Sequence, residues 1–246
     1  NETNMLKEAC EYFDNVILVI NSATPIELGF LDDPTHYAYN ENIRSAIWMA
    51  TPGENGFNAI PRLINGKVNP SGSTVDMYYR NFKNDPTWLN FGTHDPLDDR
   101  AHFYTDNGVE TDLRFVDYQE GIYMGYRYYE TKYAEEGENG DAWYEDNVVY
   151  PFGYGLSYTT FDWEVVGRKH NGTDFTDGAS LAVTADSTVT IDVKVTNTGD
   201  VAGKDTVQIY ATAPYTNGGI EKASKVLVGF EKTGMLNPGA SETVSI

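Results

Sequence analysis

The apolar residues of this chain change period near residue 162, and no single layer of secondary structure accommodates both periods. Upstream, the strongest apolar segment is unbroken: "NVILVIN", residues 15–21. A strand without polar alternation is one buried on both faces, as in a parallel sheet between helices. Downstream, "STVTIDVKVTNTGD" places Val189, Ile191, Val193 and Val195 on one face, alternating with threonines and charged residues. That is period two with a single wet face, the pattern of an antiparallel sheet. The expected fold is an α/β sandwich domain with a mostly parallel sheet over residues 1–162, then an all-β sandwich over residues 163–246.

The first part alternates helix and strand. Met5–Phe13 is a short amphipathic pattern, and "NIRSAIWMA" at 42–50 reads as a second strand. "TPGENG" then turns the chain into a helix over Phe57–Ile64, with Gly66 as its left-handed cap after Asn65. Residues 78–120 read as irregular, rich in Tyr, Asn, Asp and Pro. A loop that long in a compact domain is functional or an insertion.

The second part has the grammar of an immunoglobulin or fibronectin type III-like sandwich. "KDTVQIYAT" repeats the alternation with Val207, Ile209 and Ala211, "NTGD" turns between the two runs, and "LNPGASETVSI" supplies a further turn and strand. About five strands are visible where such a sandwich has about seven. The module is therefore expected to be incomplete, with an open edge and an uncovered face lined by Val189, Ile191, Val193, Val207 and Ile209. Further strands of the same chain, a separate polypeptide piece or a homodimer would cover it.

Charge and motifs exclude several functions. A formal net charge of −20 and a pI near 4.4 argue against nucleic acid and against an anionic membrane surface. No apolar run reaches the roughly 18 residues of a spanning helix. Cys10 is the only cysteine, so no internal disulfide forms, and the compartment stays open between cytoplasm and secretion. Asn1 opens no signal peptide, so the chain reads as starting inside a longer protein. Ser157 follows Gly155 without the second glycine of a nucleophile elbow, and Gly153 and Gly155 meet Tyr158 where a dinucleotide loop has its third glycine. Gly53 and Gly56 precede no Lys-Ser/Thr, so they do not cradle a phosphate. His94, His102, Asp98 and Asp99 lack zinc spacing, and "AEEGENGD" at 134–141 lacks calcium-loop order. No cofactor or metal is expected.

Five segments occur in one order: "GKVNPSGS" at 66–73, "EGIYMGYRYYET" at 120–131, "YPFGYGLSYTTF" at 150–161, "VTNTGDVAGKDTVQIY" at 195–210, and "SKVLVGFEKT" with "LNPGASETV" at 224–244. Together they resemble the C-terminal half of glycoside hydrolase family 3, the β-glucosidase family, in its bacterial, clostridial-type members. The resemblance implies a (β/α)8 barrel, an α/β sandwich and a fibronectin-like module in the complete protein, with residues 1–162 the later part of the sandwich. It implies a retaining β-glucosidase, without cofactor, acting on terminal β-glucosyl residues of β-glucosides or cello-oligosaccharides. A β-xylosidase, an N-acetylhexosaminidase, or a non-catalytic carbohydrate-binding or adhesion module are the alternatives.

Retaining hydrolysis needs two carboxyl groups about 5 Å apart. The family's nucleophile is an Asp in a Ser-Asp-Trp motif of the barrel, and its acid/base a Glu in a Ser-Gly-Glu context; neither motif occurs here. Glu27 and Glu120 do not match them, and Glu120 and Arg127 are expected instead to pair within or between domains, as a buried pair. These residues alone are thus expected to be inactive. Trp88, Phe91 and Tyr104 are the candidate substrate-binding residues, because sugar rings stack on aromatic faces. The aromatic segment at 150–161 reads as a seam between domains rather than a sugar contact.

Overall fold

The structure is a computed structural model describing residues 2–31, 41–91, 102–116 and 118–246, with backbone alone at 89–91, 102–106 and 110–115. The elements run α1 (Glu2–Tyr12), β1 (Val16–Ile20), β2 (Ile43–Trp48), α2 (Gly53–Gly56), α3 (Ala59–Ile64), β3 (Tyr78–Tyr79), α4 (Pro86–Phe91), β4 (His102–Asp106), β5 (Val109–Phe115), α5 (Tyr126–Glu136), α6 (Gly140–Asn147) and β6 (Val148–Tyr150). Then follow β7 (Phe161–His170), β8 (Thr173–Asp174), β9 (Val189–Asn197), β10 (Thr206–Ala211), β11 (Val226–Lys232) and β12 (Ser241–Ser245). Two compact units result, each assembled from separated stretches: Asn1–Gly53, Thr74–Gly153 and Ala213–Ser224 in one; Glu54–Ser73, Tyr154–Thr212 and Lys225–Ile246 in the other.

In the first unit β1 and β2 pair in parallel, as expected from the unbroken apolar run of β1. The α1 helix buries Leu6 and Cys10, one turn apart on one face. Only one face of β1 is closed: Ile20 is buried, while Ile17 and Val19 are 42% and 38% exposed. The expectation of a strand buried on both faces fails because no described element lies over that side. β3 is two residues long and pairs antiparallel with β6. Successive strand residues face opposite ways. Tyr78 accordingly joins Ile20 and Leu28 in one apolar cluster, and Met77 and Tyr79 join Tyr129 and Val148 in another.

The segment 78–120 is not the irregular loop its composition suggested. β4 and β5 form an antiparallel hairpin, closed by Asn107 and Gly108 with φ of 49° and 81°. Asn-Gly is the pair that supplies two consecutive positive φ values for a tight hairpin turn. Residues 92–101, with His94, Asp98 and Asp99, lie outside the described residues.

In the second unit β12, β9, β7 and β8 form a four-stranded antiparallel sheet, and β10 pairs with β11 in a two-stranded one. Six strands are present, against the five read from sequence, because the two-residue β8 carries no pattern of its own. Val193, Val195, Val207, Leu236 and Val244 form the core, with Phe161, Ile191, Ile209, Ala240 and Ile246 packed on it. The uncovered face is therefore not where it was expected. Val193 and Val207 are closed, at 2% and 1% exposed, and Val189 is outside the core at 43%. The open part is on β7. Trp163 and Val165 stand opposite Val195 and Val193, so they share the core face, yet they are 50% and 43% exposed. Among the described residues the sheet that holds β10 has only two strands, β10 and β11.

This difference predicts unequal costs for one substitution on neighbouring strands. Val193→Ala should destabilise residues 1–246 by roughly 2 kcal/mol, and Val165→Ala by less than about 0.5 kcal/mol. Urea unfolding of the two variants measures both; equal losses would show that β7 is covered after all.

Candidate functional site

The best-built polar feature is the mount of α4. Asp85 precedes Pro86, which suits the first helical position because it needs no N–H there. Asp85 is 3% exposed. One carboxylate oxygen accepts the Thr87 N–H at 2.9 Å and the Thr87 hydroxyl. The other accepts the Tyr129 phenol at 3.2 Å. It is a helix cap whose second oxygen ties α4 to α5. Tyr129 is itself 1% exposed, stacked on Tyr79 at 5.2 Å between ring centroids and tilted against Trp143 at 5.8 Å. Burial, followed by the negative charge of Asp85, pushes the phenols of Tyr79 and Tyr129 above their ordinary range.

On this mount Trp88 is 39% exposed, an aromatic side chain at the surface of a well-anchored turn. Phe91 ends α4 and Tyr104 lies in β4, but their side chains are outside the described residues. Asp85, Thr87 and Tyr129 were not singled out from the sequence. The local signal was there, since Asp-Pro-Thr is a capped helix start; the link to Tyr129, 44 residues away, had none.

Several of the described carboxylates are engaged structurally. Glu27 accepts the Phe82 backbone N–H at 2.7 Å, beside the Leu28 N–H to Tyr79 carbonyl bond at 3.4 Å. Glu130 accepts the Tyr144 phenol at 2.8 Å. Glu120 is buried. Arg127 is exposed, with its guanidinium over the Tyr126 ring at 6.0 Å, so within these residues it is not part of a buried pair. Asp76 receives the Met77 N–H at 2.9 Å. Burial raises its pKa, the Met77 bond opposes this, and the charge of Asp85 adds to it. Burial also raises the Cys10 thiol, which makes it a poor nucleophile. Among the described residues no group of three or more His, Cys, Asp and Glu could hold a metal, and no helix is long and apolar enough to cross a membrane.

Ser157 has a structural task. Asn69 of the "GKVNPSGS" segment accepts the Ser157 hydroxyl at 3.1 Å and the Tyr158 N–H at 2.8 Å, and donates to the Ala202 carbonyl at 3.1 Å. The Tyr158 phenol donates to the Leu63 carbonyl at 2.9 Å, near the end of α3. A Cβ on Gly155 would collide with the Gly72 carbonyl oxygen. Two of the sequence segments are thus locked to one another by backbone contact and one amide.

Residues 1–126 match the glycosyl hydrolase family 3 C-terminal domain, and residues 205–246 a fibronectin type III-like domain. The chain belongs to glycosyl hydrolase family 3. It is 35% identical to β-glucosidase A of Butyrivibrio fibrisolvens, over 100% of this chain and 25% of that protein. The structure resembles a β-glucosidase of Paenibacillus barengoltzii with a TM-score of 0.73 and 32% identity, covering 99% of this chain and 22% of that one. It also resembles the Kluyveromyces marxianus β-glucosidase in complex with glucose, with a TM-score of 0.69, 31% identity, and 100% and 23% coverage. The chain spans about a quarter of the length of the proteins it matches.

Two outcomes follow from the aromatic cluster. Tyr129→Phe deprives a buried carboxylate of a donor and should cost about 1–3 kcal/mol. Tyr78→Phe removes a buried hydroxyl that has no hydrogen-bond partner among the described residues and should be neutral or stabilising. Thermal melts of the pair decide; a similar loss in both refutes the distinction. The second outcome concerns pH. The raised pKa of Asp76 means that its ionised form opposes folding at neutral pH, and that this penalty is relieved as pH falls through the raised value. Asp76→Asn keeps an acceptor for Met77 without the charge. It should raise the melting temperature at pH 7 and lose that advantage toward pH 4. A constant advantage at both pH values would contradict the sign.

Proposed function

We propose that residues 1–246 are the C-terminal part of a retaining β-glucosidase that removes terminal β-glucosyl residues from β-glucosides or cello-oligosaccharides. Residues 1–162 form the later part of its α/β sandwich domain and 163–246 its fibronectin-like domain, incomplete at the C-terminal end. The observation that carries the reading is likeness along the whole chain to proteins named β-glucosidase; the buried or bonded carboxylates Glu27, Asp76 and Asp85 are held by donors of the fold. The nucleophile and the acid/base are supplied by parts of the protein outside these residues, the nucleophile by a barrel domain. Trp88, Phe91 and Tyr104 line an outer subsite, where pyranose rings stack on aromatic faces. A neutral sugar is indifferent to the chain's net charge of −20.

The complete enzyme is expected to hydrolyse an aryl β-glucoside faster than the matching β-xyloside or N-acetyl-β-glucosaminide, and residues 1–246 alone to show no measurable turnover. Hydrolysis by the isolated residues, abolished by Glu27→Gln or Glu120→Gln, would overturn the placement of the catalytic carboxylates. In the complete enzyme, alanine at Trp88, Phe91 and Tyr104 together should raise KM for cellobiose and longer oligosaccharides; an unchanged KM removes the three from the subsite.

A further inference from the structure

The β10–β11 connection occupies residues 212–225, where an antiparallel pair is ordinarily joined by about two to five residues. Its Ala213–Ser224 stretch belongs to the first compact unit and is fastened there at two points. At one, the Ser224 N–H donates to the Thr131 hydroxyl at 2.9 Å and the Ser224 hydroxyl to the Glu130 carbonyl at 2.7 Å, beside Ala223 at 3% exposed. At the other, the Tyr123 phenol donates to Glu221, and that hydrogen bond pushes the phenol pKa up to about 12. Backbone bonds from Gly121 N–H to the Tyr118 carbonyl at 3.1 Å and from Tyr123 N–H to the Glu120 carbonyl at 2.9 Å hold the facing segment in consecutive turns.

Around the second fastening, large apolar side chains stand in water. Ile220 is 83% exposed, Tyr118 71%, Tyr215 52%, Met124 51% and Ile122 42%. Ile122 and Met124 flank Tyr123, Ile220 precedes Glu221, and Tyr215 is near enough to influence the Tyr123 phenol. The Tyr123–Glu221 bond therefore brings the segments that carry Ile122, Met124, Tyr215 and Ile220 together into one patch, with Tyr118 one turn before them in the chain. Fully burying such a side chain is worth about 1.5–3 kcal/mol, and clusters left exposed on an ordered surface mark docking sites.

We propose that this patch is the docking surface for another domain of the same polypeptide, lying outside residues 1–246. The inference rests on reading the chain as part of a longer glycosidase. Length supports that occupant, since the chain spans 25% of its Butyrivibrio relative and a body large enough to cover the patch is available in the remainder. Charge disfavours a second copy: each carries −20, and like-charged bodies repel. Chemistry disfavours a glucan, because isoleucine and methionine offer neither a flat face nor hydrogen bonds to a pyranose ring. Tyrosine and methionine are enriched where proteins meet.

Methionine oxidation in the full-length protein tests this. Hydrogen peroxide converts accessible methionines to sulfoxides, and peptide mass spectrometry follows each one. At 51% exposed, an undocked Met124 should oxidise within about twofold of its rate in the urea-denatured protein; docked, it should be slower by about tenfold or more. The undocked rate overturns the proposal. Protection that is lost on dilution together with a dimer peak in size-exclusion chromatography assigns the patch to a second copy and overturns it too. So does protection seen only with added cello-oligosaccharide. Ile220→Asp in the full-length protein should restore fast oxidation of Met124, and unchanged protection counts against the patch. An aryl β-glucoside assay on the same sample separates the two readings. Activity with an unprotected Met124 sinks the docking surface alone; protection without activity sinks the proposed chemistry and leaves the surface standing.

Discussion

The first unit depends on a strand two residues long. β3 is short enough that its pleat makes a single alternation, and that alternation sends Tyr78 into one apolar cluster and Met77 and Tyr79 into another. Its pairing with β6 brings Val148 and Tyr150 to the same two clusters. The parallel β1–β2 pair and the α5–α6 helices thus meet through neighbouring side chains of one short segment. A slip of one residue would exchange the tyrosines between clusters and leave both badly packed.

The polar hubs are built on the same economy. Asp85 serves as helix cap for α4 and as acceptor for the innermost tyrosine of the second cluster. In the sandwich unit Asn197 is fully buried, and its amide is engaged on both ends. Its oxygen accepts from the Thr159 hydroxyl at 2.7 Å and Gly199 N–H at 3.1 Å; its nitrogen donates to the Val201 and Leu236 carbonyls at 2.8 Å each. Asn69 does the same for the turn around Ser157. Asparagine suits such positions because one planar group carries both donors and acceptors. The carboxylate, amides and hydroxyls so committed serve the fold.

Much was legible in the sequence, and the failures share a cause. The parallel pair, the Gly66 cap at φ 72°, the shared face of Val193 and Val195 and the order of the two folds were read correctly, because each leaves a periodic or conformational mark within a few residues. The β4–β5 hairpin also left such a mark, Asn107-Gly108, obscured by the polar composition around it. The roles of Asp85, Asn69 and Asn197 left little, since their partners lie up to 133 residues away.

What the sequence by itself determined is the alternation of apolar and polar residues, and with it which faces seek burial. Periodicity is a property of the covalent chain, so strand and helix types follow from it directly. Only the tertiary structure decided which of those faces find a cover. Ile17, Val19, Trp163 and Val165 have the pattern of interior residues and remain partly in water, while Val193 and Val207, of the same pattern, are closed. Burial depends on what another segment brings to the site, and no local pattern encodes the presence of that segment.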